Sequence, residues 1–307
     1  MRHTTAVPPT PRASPAPRAA APGLPEVREL DVGVGLCLRL WPGEEPGFLL
    51  LHGLASNART WDLVARELSA AGHAVAAPDL RGHGRSEKTP TGYGTPTIAA
   101  DVARLLDAMG WERPLVVGQS WGGNVVLEFG ARHPGRSRGL GLVDGGWIAL
   151  RDRPGATWEK TARELRPPDL LGTPWEQLRE RIRAGNPEWT EQAVDAVMAC
   201  FERLPDGTVR PWLTLECHLE ILRGLWEQTP AALYPRVQEP VVLCAAEDGS
   251  RHRAVRRREV AAARRALPRS SLHWFPDTHH DIHLHRPLAL AQVFLRELRQ
   301  GVWSGPE

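Results

Sequence analysis

The sequence predicts an α/β fold with a mainly parallel, doubly wound sheet into which a helical cap is inserted. In the first half of the chain, short continuous apolar runs alternate with helical patterns, which is typical of parallel strands buried on both faces. The alternation stops after Asp144. Roughly 90 residues of helical or irregular pattern follow, too many for a plain connection. Strand and helix patterns then resume, so the middle segment is predicted to cap the sheet.

Each element has its own local pattern. Alternation over residues 27–41, with turn-prone residues in the middle, predicts an antiparallel hairpin at a sheet edge. Buried strands are predicted at residues 47–51, 73–77, 115–118, 140–143, 241–245 and 271–275. Helices are predicted at residues 61–71, 97–109, 124–132, 251–267 and 287–299. The domain prediction is a Pro- and Ala-rich disordered tail at 1–24, a core at 25–147 and 236–300, a helical cap at 148–235 and a tail at 301–307.

Composition excludes several classes of function. The 307 residues contain 38 Lys+Arg and 36 Asp+Glu, and this balance gives little attraction for nucleic acid. No apolar run is long enough to span a membrane, and the N-terminal segment lacks the apolar stretch of a secretory signal. The four cysteines have no CxxC spacing, so neither a disulfide framework nor a zinc site is expected. We expect a cytoplasmic protein with a small-molecule substrate and leave its oligomeric state open.

A candidate nucleophile lies in the G-x-S-x-G stretch at residues 118–122, between a buried strand and a helix. A sharp turn at this place would raise the Ser120 hydroxyl above the sheet. An earlier strand ends in the turn that contains His52 and Leu54. The backbone N–H groups of Leu54 and Trp121 can then point to one spot and form an oxyanion hole. We expect the His52 side chain to pack the turn.

The serine needs a base, and the candidates lie in a histidine-rich loop after the last predicted strand, at residues 275–285. The chain order serine, acid, histidine places the base in this loop. The spacing of these histidines matches neither of the metal-binding patterns HExxH and HxHxDH. We therefore predict no metal.

Taken together, residues 25–300 resemble the α/β-hydrolase superfamily, and specifically its serine hydrolases with a helical cap. The similarity lies in Leu-His-Gly at 51–53, in the stretch PDLRGHGRS at 78–86, in the serine turn and in the closing histidine loop. The resemblance implies that His280 is the catalytic base and that His83 belongs to the scaffold. It also implies that no cofactor is required.

The acid of the triad is where the sequence departs from this family. Members usually carry G-x-x-D after the penultimate strand, and here Gly249 stands at the position of the aspartate. Asp248 lies one residue earlier. Asp144 ends an earlier strand, at a place where some relatives carry the acid. Both aspartates stay open as the residue that orients His280, and Asp248 is slightly favoured.

These features predict a serine hydrolase that cleaves a small or medium carboxylic ester through an acyl-enzyme intermediate. Epoxide hydrolases and haloalkane dehalogenases carry aspartate where Ser120 stands, which argues against those activities. The tryptophan-rich cap suggests an apolar pocket. Two alternatives remain. The same triad could serve a C–C bond (diketone) hydrolase or a lactonase, or the fold could be a non-catalytic ligand-binding protein, for which the displaced acid is the supporting feature.

Overall fold

A computed structural model of the chain describes residues 23–249 and 253–303. The strands are β1 (Glu26–Asp31), β2 (Gly35–Trp41), β3 (Glu44–Leu51), β4 (His73–Pro78), β5 (Leu115–Gln119), β6 (Gly139–Val143), β7 (Phe201–Arg203), β8 (Val209–Pro211), β9 (Val241–Glu247) and β10 (Ser270–Pro276). The α-helices are α1 (Asp62–Ala70), α2 (Thr95–Met109), α3 (Trp121–Arg132), α4 (Trp158–Glu164), α5 (Trp175–Gly185), α6 (Glu191–Met198), α7 (Leu215–Glu227), α8 (Pro230–Leu233), α9 (Arg253–Ala266), α10 (Ile282–His285) and α11 (Pro287–Arg299).

Eight strands form one sheet in the order β1-β2-β4-β3-β5-β6-β9-β10. The hairpin β1–β2 is antiparallel and joins β4 in an antiparallel pair. The other pairs of this sheet, among β4, β3, β5, β6, β9 and β10, are parallel. The predicted fold class is therefore confirmed. Because β3, β5, β6, β9 and β10 are parallel, the turns at their carboxyl ends gather along one edge of the sheet.

Helices cover both faces of the sheet, and β3 shows why its sequence is a continuous apolar run. Leu49 and Leu51 face the cluster that α2 and α3 complete. Phe48 and Leu50 point to the opposite face, into the cluster that includes residues of α1 and α11. All four side chains are fully buried. Since neighbouring residues of a strand point to opposite faces, both must be apolar when both faces are covered.

The insertion between β6 and β9 corrects one expectation. Helices α4 to α8 lie there, but the segment also contains a two-stranded antiparallel sheet, β7–β8. A tight turn joins these strands, with the Gly207 amide donating to the Leu204 carbonyl at 2.9 Å. Each strand has only three residues, too few to show an alternating pattern in the sequence.

The C-terminal end also differs from the expected tail at 301–307. Trp303 is fully buried and packs against Phe48 and Phe294. A turn at Gly301, with φ of 75°, brings the chain back onto the sheet. The tail predicted at 1–24 falls outside the described residues up to position 22, and so do residues 304–307. No helix in the described part of the chain is long and apolar enough to cross a membrane.

Candidate active site

Ser120 occupies a strained turn between β5 and α3. Its φ of 55° and ψ of −123° lie where a residue with a side chain is rarely found. The turn is so tight that a Cβ atom on Gly118 would lie 2.2 Å from the Gly122 carbonyl oxygen. A Cβ atom on Gly122 would lie 2.5 Å from the carbonyl oxygen of His52. The two glycines are therefore required for the approach that presents Ser120.

The structure brings Ser120, His280 and Asp144 into one hydrogen-bonded series. The Ser120 hydroxyl lies 2.8 Å from Nε2 of His280, and Nδ1 of His280 lies 2.6 Å from Oδ2 of Asp144. A carboxylate only accepts hydrogen bonds, so Nδ1 carries the proton and Nε2 is free to accept from Ser120. This is the arrangement in which a histidine can take a proton from a serine.

The slight preference for Asp248 drawn from the sequence is not supported by this geometry. Both ring nitrogens of His280 are already engaged, one by Asp144 and one by Ser120. The Asp248 carboxylate instead contacts the Arg256 guanidinium at 3.1 Å. Asp144 reaches His280 because its backbone turns sharply at the end of β6, with φ of 42°.

The Asp144 carboxylate is buried and governs the pKa of the histidine that it contacts. Its side chain is 2% exposed, and Oδ1 accepts a hydrogen bond from the Ala246 amide at 3.0 Å. Desolvation acts to lower the pKa of His280, but the hydrogen bond and charge of Asp144, with a contribution from Asp281, outweigh it and leave that pKa raised. The His280 side chain is 44% exposed, so the carboxylate governs the direction of the shift more than burial does.

Of the two amides predicted as an oxyanion hole, that of Trp121 belongs to the residue directly after Ser120. That of Leu54 belongs to a turn that approaches the serine, because a Cβ atom on the preceding Gly53 would lie 3.2 Å from Cβ of Ser120. Leu54 follows β3, which pairs with β5, and Trp121 is the first residue of α3. Within residues 23–249 and 253–303, neither N–H donates to a protein acceptor. An N–H in the first turn of a helix has no acceptor inside that helix, which leaves it available to a ligand.

Buried side chains beneath the serine hold the turn in place. His52 accepts a hydrogen bond from the Leu80 amide at 3.0 Å, as expected for a residue that packs the turn. His83 lies between the rings of His52 and Trp121, with centroid distances of 4.7 and 5.4 Å. Desolvation lowers the pKa of both histidines, so both are neutral packing groups at neutral pH.

One supporting residue was missed in the sequence. The side-chain amide of Gln119, next to the serine, lies 3.3 Å from the His280 carbonyl oxygen and 3.3 Å from Oδ1 of Asp281. It therefore ties the serine turn to the histidine loop. Its position as the first variable residue of G-x-S-x-G was the only available signal.

The other histidines of the loop have separate contacts. The ring of His279 stacks on that of His285, which pairs with Glu188 in the insertion. His283 is buried against Trp61, and desolvation lowers its pKa to about 4. In the part of the chain that the structure describes, no three His, Cys, Asp or Glu side chains are placed to hold a metal ion.

A cavity of about 710 Å³ opens beside His280 and Asp144, under the insertion. Its apolar lining includes Trp147, Ile148 and Leu165. Arg153, Lys160, Glu164, Arg256 and Glu259 supply charges of both signs on its walls. The volume is that of a pocket for a small molecule.

Comparison with known proteins agrees with this architecture. A family model described as the alpha/beta hydrolase fold matches residues 46–197. The chain is 36% identical over 122 residues to an esterase of Mycobacterium tuberculosis, a match that covers 39% of this chain and 40% of the esterase. It is 42% identical over 81 residues to a soluble epoxide hydrolase of a Corynebacterium species, covering 26% of this chain and 28% of that enzyme. The chain thus spans less than half the length of either curated relative.

A solved structure of E-2-(acetamidomethylene)succinate hydrolase aligns with a TM-score of 0.75 at 21% sequence identity. The alignment covers 89% of this chain and 99% of that one. At this identity the likeness concerns the fold. The parallel sheet, the serine turn and the matching family model together show that the chain belongs to the α/β-hydrolase superfamily.

Proposed function

We propose that this protein is a serine hydrolase that cleaves a small or medium carboxylic ester through an acyl-enzyme on Ser120. The observation that carries the proposal is the hydrogen-bonded series from Ser120 through His280 to Asp144. A serine in a strained turn, connected through two hydrogen bonds and one histidine to a buried carboxylate, suits nucleophilic catalysis better than any packing role.

The first half of the reaction transfers the acyl group to the enzyme. Ser120 Oγ attacks the ester carbonyl carbon while its proton moves to Nε2 of His280. Asp144 stabilises the imidazolium that results, and the amides of Leu54 and Trp121 donate to the oxyanion. The tetrahedral intermediate then collapses: the bond to the alcohol oxygen breaks, and His280 returns the proton to that oxygen.

The second half releases the acid. A water molecule gives a proton to His280 and attacks the acyl carbon, again forming an oxyanion at the two amides. When the intermediate collapses, the bond to Ser120 Oγ breaks and His280 returns the proton to Oγ. These steps are hydrolysis without a redox change, so the residues of this chain can supply every proton transfer.

The identity of residue 120 helps to choose between ester hydrolysis and epoxide hydrolysis, two activities found among the relatives. The relatives include both an esterase and an epoxide hydrolase. A serine forms an acyl ester with a carbonyl substrate, whereas opening an epoxide by the family's route uses an aspartate at this position. Ser120 therefore favours the ester activity. The cavity beside His280, which is apolar at Trp147, Ile148 and Leu165 and carries charges of both signs elsewhere on its walls, has room for a substrate of limited size.

A panel of substrates tests the proposal. We expect p-nitrophenyl esters with acyl chains of graded length to be hydrolysed by the wild type and not by Ser120→Ala. Turnover of a vinylogous diketone or a lactone in place of every ester would replace the proposed substrate class but keep the nucleophile. Ester turnover that survives in Ser120→Ala would refute the proposal. The ligand-binding alternative depended on the displaced acid, and the contact between Asp144 and His280 weighs against that argument.

A further inference from the structure

A largely buried arginine lies against the acid of the proposed triad. Nε of Arg256, on helix α9, lies 3.4 Å from Oδ1 of Asp144. One terminal nitrogen of the same guanidinium lies 3.1 Å from Oδ1 of Asp248 and 3.1 Å from the Ala246 carbonyl oxygen. The Arg256 side chain is only 15% exposed. The guanidinium thus bridges two carboxylates beside His280.

The neighbouring arginines of α9 behave differently. Arg253 and Arg257 both pair with Glu247, and their side chains are 53% and 52% exposed. Pairs of this kind at the surface contribute little to stability. Arg256 alone among these three is turned inward, where its charge is screened less by solvent. Its environment is therefore specific and not a general property of an arginine-rich helix.

We propose that Arg256 is a positioning residue for the triad, held by Asp248 so that its guanidinium fixes the Asp144 carboxylate and offsets part of that carboxylate's charge. The inference rests on the proposed function, in which Asp144 supports His280. It also gives a role to Asp248, which lies one residue before the family's usual acid position. The Asp248 carboxylate anchors Arg256, while the ring nitrogens of His280 are engaged by Asp144 and Ser120.

The charged and titratable groups around His280 set the direction of the effect. Asp144 and Asp281 raise the pKa of His280 and Arg256 lowers it, while the charge of His280 acts to lower the pKa of His283. The base must be neutral to take a proton from Ser120, so activity falls as pH drops through that pKa. Removing the Arg256 charge raises the pKa, and the acid limb of the activity profile then moves to higher pH.

The test compares Arg256→Gln with Arg257→Gln, the same substitution one residue along the helix. The rate of Ser120 labelling by a neutral fluorophosphonate is measured from pH 5 to 9, together with kcat and KM for a neutral ester. We expect the midpoint of the acid limb to rise by about one pH unit in Arg256→Gln, the order of magnitude for a partly buried neighbouring charge. Arg257→Gln is expected to keep the wild-type midpoint.

Two further variants distinguish the charge of Arg256 from the placement of its side chain by Asp248. Arg256→Lys retains the positive charge and is expected to bring the midpoint back toward that of the wild type, which also tests the idea if the glutamine variant does not fold. Losing the Asp248 charge by itself would lower the His280 pKa, whereas loss of Arg256 placement raises it. If Asp248 anchors Arg256 as proposed, the second effect exceeds the first, and Asp248→Asn moves the midpoint of the acid limb upward. Combining it with Arg256→Gln is then expected to give no further rise.

A common midpoint for Arg256→Gln and Arg257→Gln would overturn the inference. A downward shift in Asp248→Asn would overturn the anchoring role of that residue. Failure of the proposed function is a separate result, because then the wild type itself is not labelled at any pH. In that case an NMR titration of the His280 ring in the same variants still measures the effect of Arg256, and equal pKa values in the two glutamine variants would refute it.

Discussion

The choice of acid can be tested by replacing each aspartate with asparagine, a change that keeps the shape of the side chain and removes its charge. In Asp144→Asn, the group facing His280 at 2.6 Å can present an amide N–H. A donor at this place favours the tautomer with the proton on Nε2. That nitrogen then cannot accept the proton of Ser120.

The expected loss follows from this wrong tautomer. A triad aspartate replaced by asparagine lowers kcat by roughly ten-thousandfold, or about 5 kcal/mol of activation free energy. Asp248 pairs with Arg256, which in turn contacts Asp144. We therefore expect Asp248→Asn to lower kcat at the optimal pH by less than about tenfold, the scale of one partly buried charged hydrogen bond.

The assay is ester turnover by both variants at several pH values, with thermal unfolding of each as a control for folding. Asp144 is buried and accepts from the Ala246 amide, so some loss of stability in its variant is expected. The comparison is made well below both unfolding midpoints. Effects within threefold of each other, or a larger loss in Asp248→Asn, would refute the assignment of Asp144.

Three other predictions concern pH and packing. The raised pKa of His280 means that kcat/KM is expected to fall below a midpoint above the ordinary histidine value near 6.5, and a midpoint below that value would contradict the role of Asp144. Gly122→Ala is expected to lower the free energy of unfolding by about 3 kcal/mol, because its Cβ would lie 2.5 Å from the His52 carbonyl oxygen. The control Gly185→Ala, with nothing within 4 Å, is expected to be neutral or slightly stabilising in the same urea titration. Trp303→Ala is expected to cost about 3 to 5 kcal/mol, and an unchanged stability would show that this tryptophan is not part of the core.

The sheet could be predicted because its strands are buried on both faces. A run such as residues 47–51 has to be apolar throughout, and that pattern is unambiguous over five residues. The serine turn was equally clear, since the glycines at 118 and 122 are required by contacts with the backbone of the same turn and of a neighbouring strand. Strong local constraints of this kind leave a readable pattern in the sequence.

The acid could not be chosen from the sequence because its position depends on contacts between distant segments. Asp144 and Asp248 each follow a strand of the sheet, and β6 and β9 are neighbours. Whether one or the other meets His280 is decided by the turn of the backbone at Asp144 and by the pairing of Asp248 with Arg256. Neither feature is local to the motif.

Short or isolated elements were also beyond the reach of sequence patterns. The three-residue strands β7 and β8 show no period. Trp303 follows one other apolar residue, Val302, after a turn. Only its contact with Phe48 and Phe294 shows that it belongs to the core. A lone tryptophan near a chain end carries no periodicity that distinguishes a buried side chain from an exposed one.

The most direct test of the central claim is the intact mass of the protein after treatment with a fluorophosphonate, with Ser120→Ala as the control. A serine activated by a neighbouring base reacts with this reagent, whereas an ordinary surface serine does not. We expect a single adduct on the wild type that maps to the peptide containing Ser120 and is absent from the variant. An unmodified wild type, or an adduct that persists in Ser120→Ala, would contradict the account.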